Sequence, residues 1–275
     1  MKIYHDLLRR ILEEGEKRTD RTGVGTISLF GDLQYRVDLR EGFPLLTTKK
    51  LHWKSIVEEL LWMLSGSTNN NDLRAKGVTI WDEWSPSNGD LGKIYGHQWR
   101  HWNGRYDDPD CLHYVETDQI SNLIRDIKNT PSSRRLIVTA WNPEDIENKE
   151  VSLPACHTIW QVFISTEGWI DLKLYQRSCD TLIGLPYNLA SYSLLLSMIA
   201  QVTGYKPRYF YHTFGDAHIY LNHMEQVKEQ LSREPRALPK LVLNSDVKDI
   251  FNFRYEDCKI EKYNPWPAIK APVAV

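Results

Sequence analysis

The sequence predicts an α+β protein organised as a single domain. Long strand patterns and separate helix patterns are mixed along the chain without strict alternation, which weighs against a doubly wound parallel sheet. No internal repeat, low-complexity tract or Pro/Gly/Ser-rich linker divides it. Its 275 residues, 41% of them hydrophobic, suffice for a sizeable core.

Leu7, Leu8, Ile11 and Leu12 have helical spacing and open the chain with a helix. Thr26 to Leu39 reads as strands around a turn at Gly31-Asp32. From Trp53 to Leu64, apolar residues Trp53, Ile56, Val57, Leu60, Leu61 and Leu64 trace a helical face. Trp62 and Met63 extend it, so this helix is expected to be buried on more than one side. Glu58 and Glu59 are its only acids. Asp118 to Asn129 is an amphipathic helix, and Leu136 to Trp141 a strand. Ile159 to Ile164 and Trp169 to Tyr175 form a hairpin around Thr166-Glu167-Gly168. Leu189 to Thr203 is apolar nearly all round and reads as a central helix. Arg208 to Tyr220 is largely strand, and Asn222 to Arg233 a surface helix.

A net charge of −2 weighs against a generic nucleic-acid binder, which is usually basic, but leaves room for a small anion held by local arginines. The cysteines Cys111, Cys156, Cys179 and Cys258 show neither CxxC nor zinc spacing. The N-terminus lacks the apolar stretch of a signal peptide, and no apolar run is long enough to span a bilayer. Free thiols in a reducing cytoplasm are the expectation.

Cys156 lies in Leu153-Pro154-Ala155-Cys156-His157, just before a strand. A thiolate is a strong nucleophile, although a lone cysteine is more often a small buried apolar residue. His157 does not decide the matter, because neighbours on a strand point to opposite faces. Arg21 lies in Asp20-Arg21-Thr22-Gly23-Val24-Gly25-Thr26, which reads as a turn; its glycines are too few for a phosphate-binding fingerprint. Ser132-Ser133-Arg134-Arg135 and Gln176-Arg177-Ser178-Cys179-Asp180 flank strands. Arginine forks match phosphate oxygens, but singly each also suits a surface ion pair. Asn188, in Gly184-Leu185-Pro186-Tyr187-Asn188, offers the donor and acceptor that read a pyrimidine edge, or a helix N-cap. Glu59 stands on a helix with little solvent face, where a carboxylate needs a reason such as proton transfer. Asp216, His218 and Tyr220 alternate on one strand face and could bind a hydroxyl.

Together these residues resemble the folate-dependent thymidylate synthase family. The likeness runs from Asp20-Arg21-Thr22-Gly23 to the closing Lys270-Ala271-Pro272-Val273-Ala274-Val275. Between them stand Gly42-Phe43-Pro44-Leu45-Leu46-Thr47-Thr48-Lys49-Lys50, Glu59-Leu60-Leu61-Trp62, Ile80-Trp81-Asp82-Glu83-Trp84 and Tyr95-Gly96-His97-Gln98-Trp99-Arg100. The arginine, cysteine and Asn188 motifs follow in the same order.

The resemblance implies a large mixed β-sheet with packed helices, one sheet face forming a dimer interface. It implies that dUMP meets Arg21, Arg177, Ser178, Cys179 and Asp180, with Arg134 and Arg135 donated across a homodimer. Asn188 would read the uracil edge, and His218 and Tyr220 the deoxyribose hydroxyl. Cys156 would add to carbon 6, with Glu59, Tyr95, Asn188 and Asp180 assisting proton transfer. The co-substrate 5,10-methylenetetrahydrofolate would meet His52, Trp81, Asp180, Ala274 and Lys49. No metal, membrane or obligatory nucleic acid is implied.

Three positions depart from the family pattern. Ala155 replaces a second proline, Tyr187 a phenylalanine, and Phe214 the first of two glycines. Trp102 to Glu116 reads as a surface insertion. The sister reaction, dUMP 5-hydroxymethylation, ends with water where the synthase uses hydride; Trp81, expected to shelter the reacting carbon, favours hydride. A Cys156–His157 hydrolase and a non-catalytic RNA binder are the rival classes. Strand geometry weighs against the first, and the near-neutral charge against the second.

Overall fold

The computed structural model describes residues 2–103, 116–147, 149 and 151–274. Helix α1 (Lys2–Glu14) presents Tyr4, Leu7, Leu8 and Ile11 to the core, as their spacing predicts. The short strand β1 (Glu16–Arg18) and the long β2 (Thr26–Asp38) follow. The turn expected at Gly31-Asp32 is instead a β-bulge: β2 pairs with one partner strand on both sides of it, and the register shifts between Phe30 and Leu33. Gly31 adopts φ 133°, which explains why a turn-like dipeptide can interrupt a strand without reversing it.

Helix α2 (Trp53–Leu64) is buried on several sides, as expected. The short helices α3 (Asn70–Arg74), α4 (Tyr95–Arg100) and α6 (Pro143–Glu147) have too few residues to show periodicity and were not predicted. Helix α5 (Gln119–Asn129) is capped by Asp118, whose side chain accepts from Ser121 N. The expected insertion from Trp102 to Glu116 falls mainly outside the described residues.

Strands β3 (Ile137–Thr139), β4 (His157–Ile164), β5 (Trp169–Asp180) and β6 (Lys206–Tyr220) complete a mixed six-stranded sheet of order β1-β2-β6-β5-β4-β3. Only β5 and β6 run parallel. Their crossover is helix α7 (Gly184–Thr203), which begins earlier than its apolar run suggested. Asp180 holds the turn that leads into it: Oδ1 accepts from Leu182 N (2.9 Å) and Ile183 N (3.1 Å). Gly204, at φ 81°, ends the helix.

Helix α7 packs on β5 and β6 and is met by α2. Leu185, Leu189, Leu194, Leu195, Leu196 and Ile199 are all wholly buried, so the helix can be apolar on every side. Each such side chain contributes roughly 1.5–3 kcal/mol of burial free energy. Helix α8 (Met224–Ser232) lies on the surface, and β7 (Lys240–Leu243) with β8 (Cys258–Glu261) forms a separate ribbon. On the sheet face away from α7, Ile137, Ile159, Phe163 and Tyr175 are exposed.

Candidate active site

The register of the sheet brings distant segments to one end. Parallel β5 and β6 deliver their C-terminal ends together, with Ser178 opposite Asp216 and Asp180 opposite His218. Ligand sites in α/β sheets favour such strand ends. Antiparallel β4 begins where β5 ends, with His157 opposite Gln176, so Cys156 arrives beside Arg177. Antiparallel β2 likewise places Thr26 opposite Tyr220, bringing the Arg21 loop to the same place.

A cavity of about 780 Å³ opens there. Its wall includes Arg21, Glu59, Trp81, Tyr95, Cys156, Arg177, Ser178, Asp180, Asn188, His218, Tyr220 and Ala274. All were expected at the site from sequence. Arg18, Ser28, Met63, Trp84 and Gln176 also line it without having been singled out. Gln176 had a usable signal, since it alternates with Ser178 and Asp180 along one strand face.

Cys156 is held from three directions. Its N–H donates to Tyr95 Oη (2.8 Å), and its carbonyl accepts from Arg177 N (2.9 Å). The Arg177 guanidinium donates to the carbonyls of Ala155 and Pro154, both at 2.9 Å. These are backbone acceptors, so alanine at position 155 leaves the clamp intact. Burial pushes the Cys156 thiol up, while the Arg177 charge and a Tyr95 hydrogen bond pull it down. The balance favours the thiol in the free chain.

His157 lines the same cavity as Cys156, with its ring packed among aromatics. Its ring packs on Tyr95 (5.0 Å) and edge-on to Tyr192 (5.3 Å), and its Nδ1 has no partner. Burial drives its pKa down to about 4 against a hydrogen bond with Asn188. A ring with a pKa near 4 is a poor acceptor for the thiol proton, and the hydrogen bond found for Cys156 Sγ goes to the Pro154 carbonyl (3.9 Å), so the pair does not form a hydrolase dyad.

Asn188 is not a helix cap; Ile183 holds that position. Gln176 orients it, donating from Nε2 to Asn188 Oδ1 (3.1 Å) while Gln176 Oε1 pairs with His212 Nε2 (2.8 Å). Gln176 Nε2 also donates to the Ser178 carbonyl (3.0 Å), an obligate acceptor, which makes that nitrogen the donor and Asn188 Oδ1 the acceptor of the pair. Glu59 accepts from Trp81 Nε1 at 2.8 Å, and burial pushes its pKa up to about 7. A carboxyl group that is half-protonated near neutrality can both give and take a proton.

Asp20 builds the Arg21 loop by accepting from Thr22 N (3.0 Å), Thr22 Oγ1 (2.5 Å) and Gly25 N (2.7 Å). His218 Nδ1 pairs with Asp216 Oδ1 (2.9 Å), and its ring meets Tyr220 edge-on at 5.1 Å. Gly215 lets β5 approach: a Cβ there would lie 2.6 Å from the Arg177 carbonyl. Phe214 fills the core beside Tyr35 (5.2 Å) and His212 (4.2 Å), so this departure changes packing away from the cavity wall.

A family model described as thymidylate synthase matches residues 2–275. The chain belongs to the thymidylate synthase family. Membership makes it an enzyme of the methyltransferase kind, working in nucleotide biosynthesis with methylenetetrahydrofolate, in a family that is generally dimeric.

Several residues assigned through the thymidylate synthase resemblance lie off the cavity. Lys49, expected at the folate tail, is buried and donates from Nζ to the Leu182 carbonyl; burial lowers its pKa to about 8. The Cys179 thiol is wholly buried, because alternation on β5 turns it from Ser178 and Asp180. His52 is exposed at the start of α2, its Nδ1 paired with Ser55 Oγ (2.7 Å). Arg134 and Arg135 are exposed in the turn before β3, outside this chain's cavity, and make no ion pair among the described residues. No cluster of three or more metal-ligating side chains occurs among the described residues, and no described helix is long and apolar enough to cross a membrane.

Proposed function

We propose that this chain is a thymidylate synthase converting dUMP to dTMP, with residues 1–275 as one catalytic domain acting in the cytoplasm. The observation that carries the proposal is the meeting of Cys156, Glu59, Asn188 and the arginines Arg21 and Arg177 around one cavity. Carbon 5 of uracil is a poor nucleophile. Addition of the Cys156 thiolate at carbon 6 makes carbon 5 enolate-like and splits one hard step into easier ones.

Each wall has a task in this reading. Arg21, Arg177 and Ser178 take the phosphate, joined by Arg134 and Arg135 of the partner subunit. The exposed apolar face bearing Ile137, Ile159, Phe163 and Tyr175 is where the homodimer would form. Arriving cations lower the cost of the Cys156 thiolate, which burial alone disfavours. Asn188, with its Oδ1 fixed by Gln176, presents its remaining groups to the uracil edge. Tyr95 is a neutral phenol, because burial raises its pKa well above the ordinary value. It orders water for proton removal from carbon 5 and is not itself the base. Glu59 relays protons.

The cavity suits a folate chemically. Ile80, Trp81, Trp84 and Tyr187 give an aromatic and apolar wall for a flat ring, and Val273 and Ala274 line the same cavity. When bound, methylenetetrahydrofolate supplies the one-carbon unit and the hydride. Trp81, fixed by Glu59 and only 6% exposed, shields the reacting carbon from water. That shielding favours hydride over water at the last step, and so dTMP over 5-hydroxymethyl-dUMP.

The test is incubation with dUMP and methylenetetrahydrofolate. Dihydrofolate absorbance and dTMP should appear together. Hydroxymethyl-dUMP without dihydrofolate, or no turnover, would overturn the assignment.

A further inference from the structure

The C-terminal tail reaches the cavity with little to hold it. Before it, the chain is well fastened: Trp266 N donates to Thr47 O (2.8 Å), and Arg233 donates to Pro267 O (2.6 Å). Beyond Pro267, among the described residues, the tail makes one hydrogen bond, from His223 Nε2 to Pro272 O (2.7 Å). The next two residues, Val273 and Ala274, are on the cavity wall.

His223 is built for this contact. It is wholly buried, in a short turn between β6 and α8. Its ring stands edge-on to Tyr220 at 5.6 Å, and Tyr220 itself lines the cavity. A carbonyl only accepts, so the proton resides on Nε2. Nδ1 is buried without a partner, so that nitrogen is not what keeps the ring in place. A buried polar ring needs its one bond, and here the bond goes to the tail.

We propose that His223 is a positioning residue that latches the C-terminal tail over the cavity through Pro272. It acts on the folate side of the reaction without touching substrate, and this role rests on the proposed synthase reading. The latch is worth about one neutral hydrogen bond, a factor of roughly 3–10 in tail opening.

Three substitutions separate the donor from the ring. His223→Gln keeps a donor near the Nε2 position. His223→Asn shortens the reach, and His223→Phe keeps the ring without a donor. The first readout is the rate at which a carboxypeptidase releases the last residues from the native full-length protein, which needs no turnover. Release should quicken roughly threefold to tenfold in the Asn and Phe variants and return toward the parent rate in the Gln variant. The second readout is the folate KM, which should rise in step while dUMP affinity holds.

Unchanged tail release in both Asn and Phe variants, or no recovery with Gln, would overturn the latch. If the Phe variant does not fold, the Asn and Gln variants alone still separate a latch from its absence. Normal tail behaviour without dTMP formation would instead count against the synthase reading alone.

Discussion

Replacing Glu59 by Gln is the most informative perturbation of the site. The amide keeps an oxygen to accept from Trp81 Nε1, now at 2.8 Å from Glu59, and removes the ionisable proton. Burial raises the carboxyl group from 4.5 to about 7 in the folded chain. The folded state therefore holds a proton that the unfolded state has lost between these pH values. Stability must fall as pH rises from about 4.5, and the fall is complete above about 7. At 1.36 kcal/mol per pH unit, the ceiling is ~3 kcal/mol. The side chain opens partly onto the cavity, so about 1.5–3 kcal/mol is the working range. Urea unfolding at fixed protein concentration, from pH 4.5 to 8.5, measures it. Glu59→Gln should gain on the parent by that amount at pH 8.5 and match it at pH 4.5. Turnover should meanwhile drop by about 10²–10⁴, the usual worth of a general acid or base. Parallel stability profiles for the two proteins would refute the raised pKa, and unchanged turnover in Glu59→Gln would refute the proton-relay role.

Cys156→Ala should abolish turnover while dUMP still binds; a fully active variant would end the covalent mechanism. Mixing inactive Cys156→Ala chains with inactive Arg134→Ala,Arg135→Ala chains should restore activity through dimers with one intact site. No recovery after verified subunit exchange would argue against shared sites. Lys49→Met probes the buried cation. Its folded pKa of about 8 lies below the ordinary 10.5, so the parent should gain stability as pH rises between these values. The Met variant should lack that gain, and equal slopes by urea unfolding would show that Lys49 is not buried as a cation.

Much of this architecture was legible in one sequence because long elements write their periodicity into it. Helices α1, α2, α5 and α7 and the β4–β5 hairpin were readable for that reason. The short helices and the β7–β8 ribbon were not, since so few residues carry no period. Gly31-Asp32 misled because the same φ freedom serves a turn and a bulge, and only the pairing of β2 with β6 distinguishes them.

At the site, the sequence by itself determined which reactive groups exist. The ordered motifs around Cys156, Arg177 and Asn188 pointed to one family and one chemistry. Tertiary structure decided what each group can do. A strand's alternation sends Cys179 inward and leaves Ser178 on the cavity. Packing on Tyr95 and Tyr192 makes His157 a core residue beside the nucleophile. Burial gives Glu59 a pKa near neutrality and commits Lys49 to a backbone carbonyl. His223 carried no local signal, because its partner Pro272 is far along the chain and only folding brings them together. Residue types are local facts, whereas burial, orientation and pKa belong to the neighbours that the fold supplies.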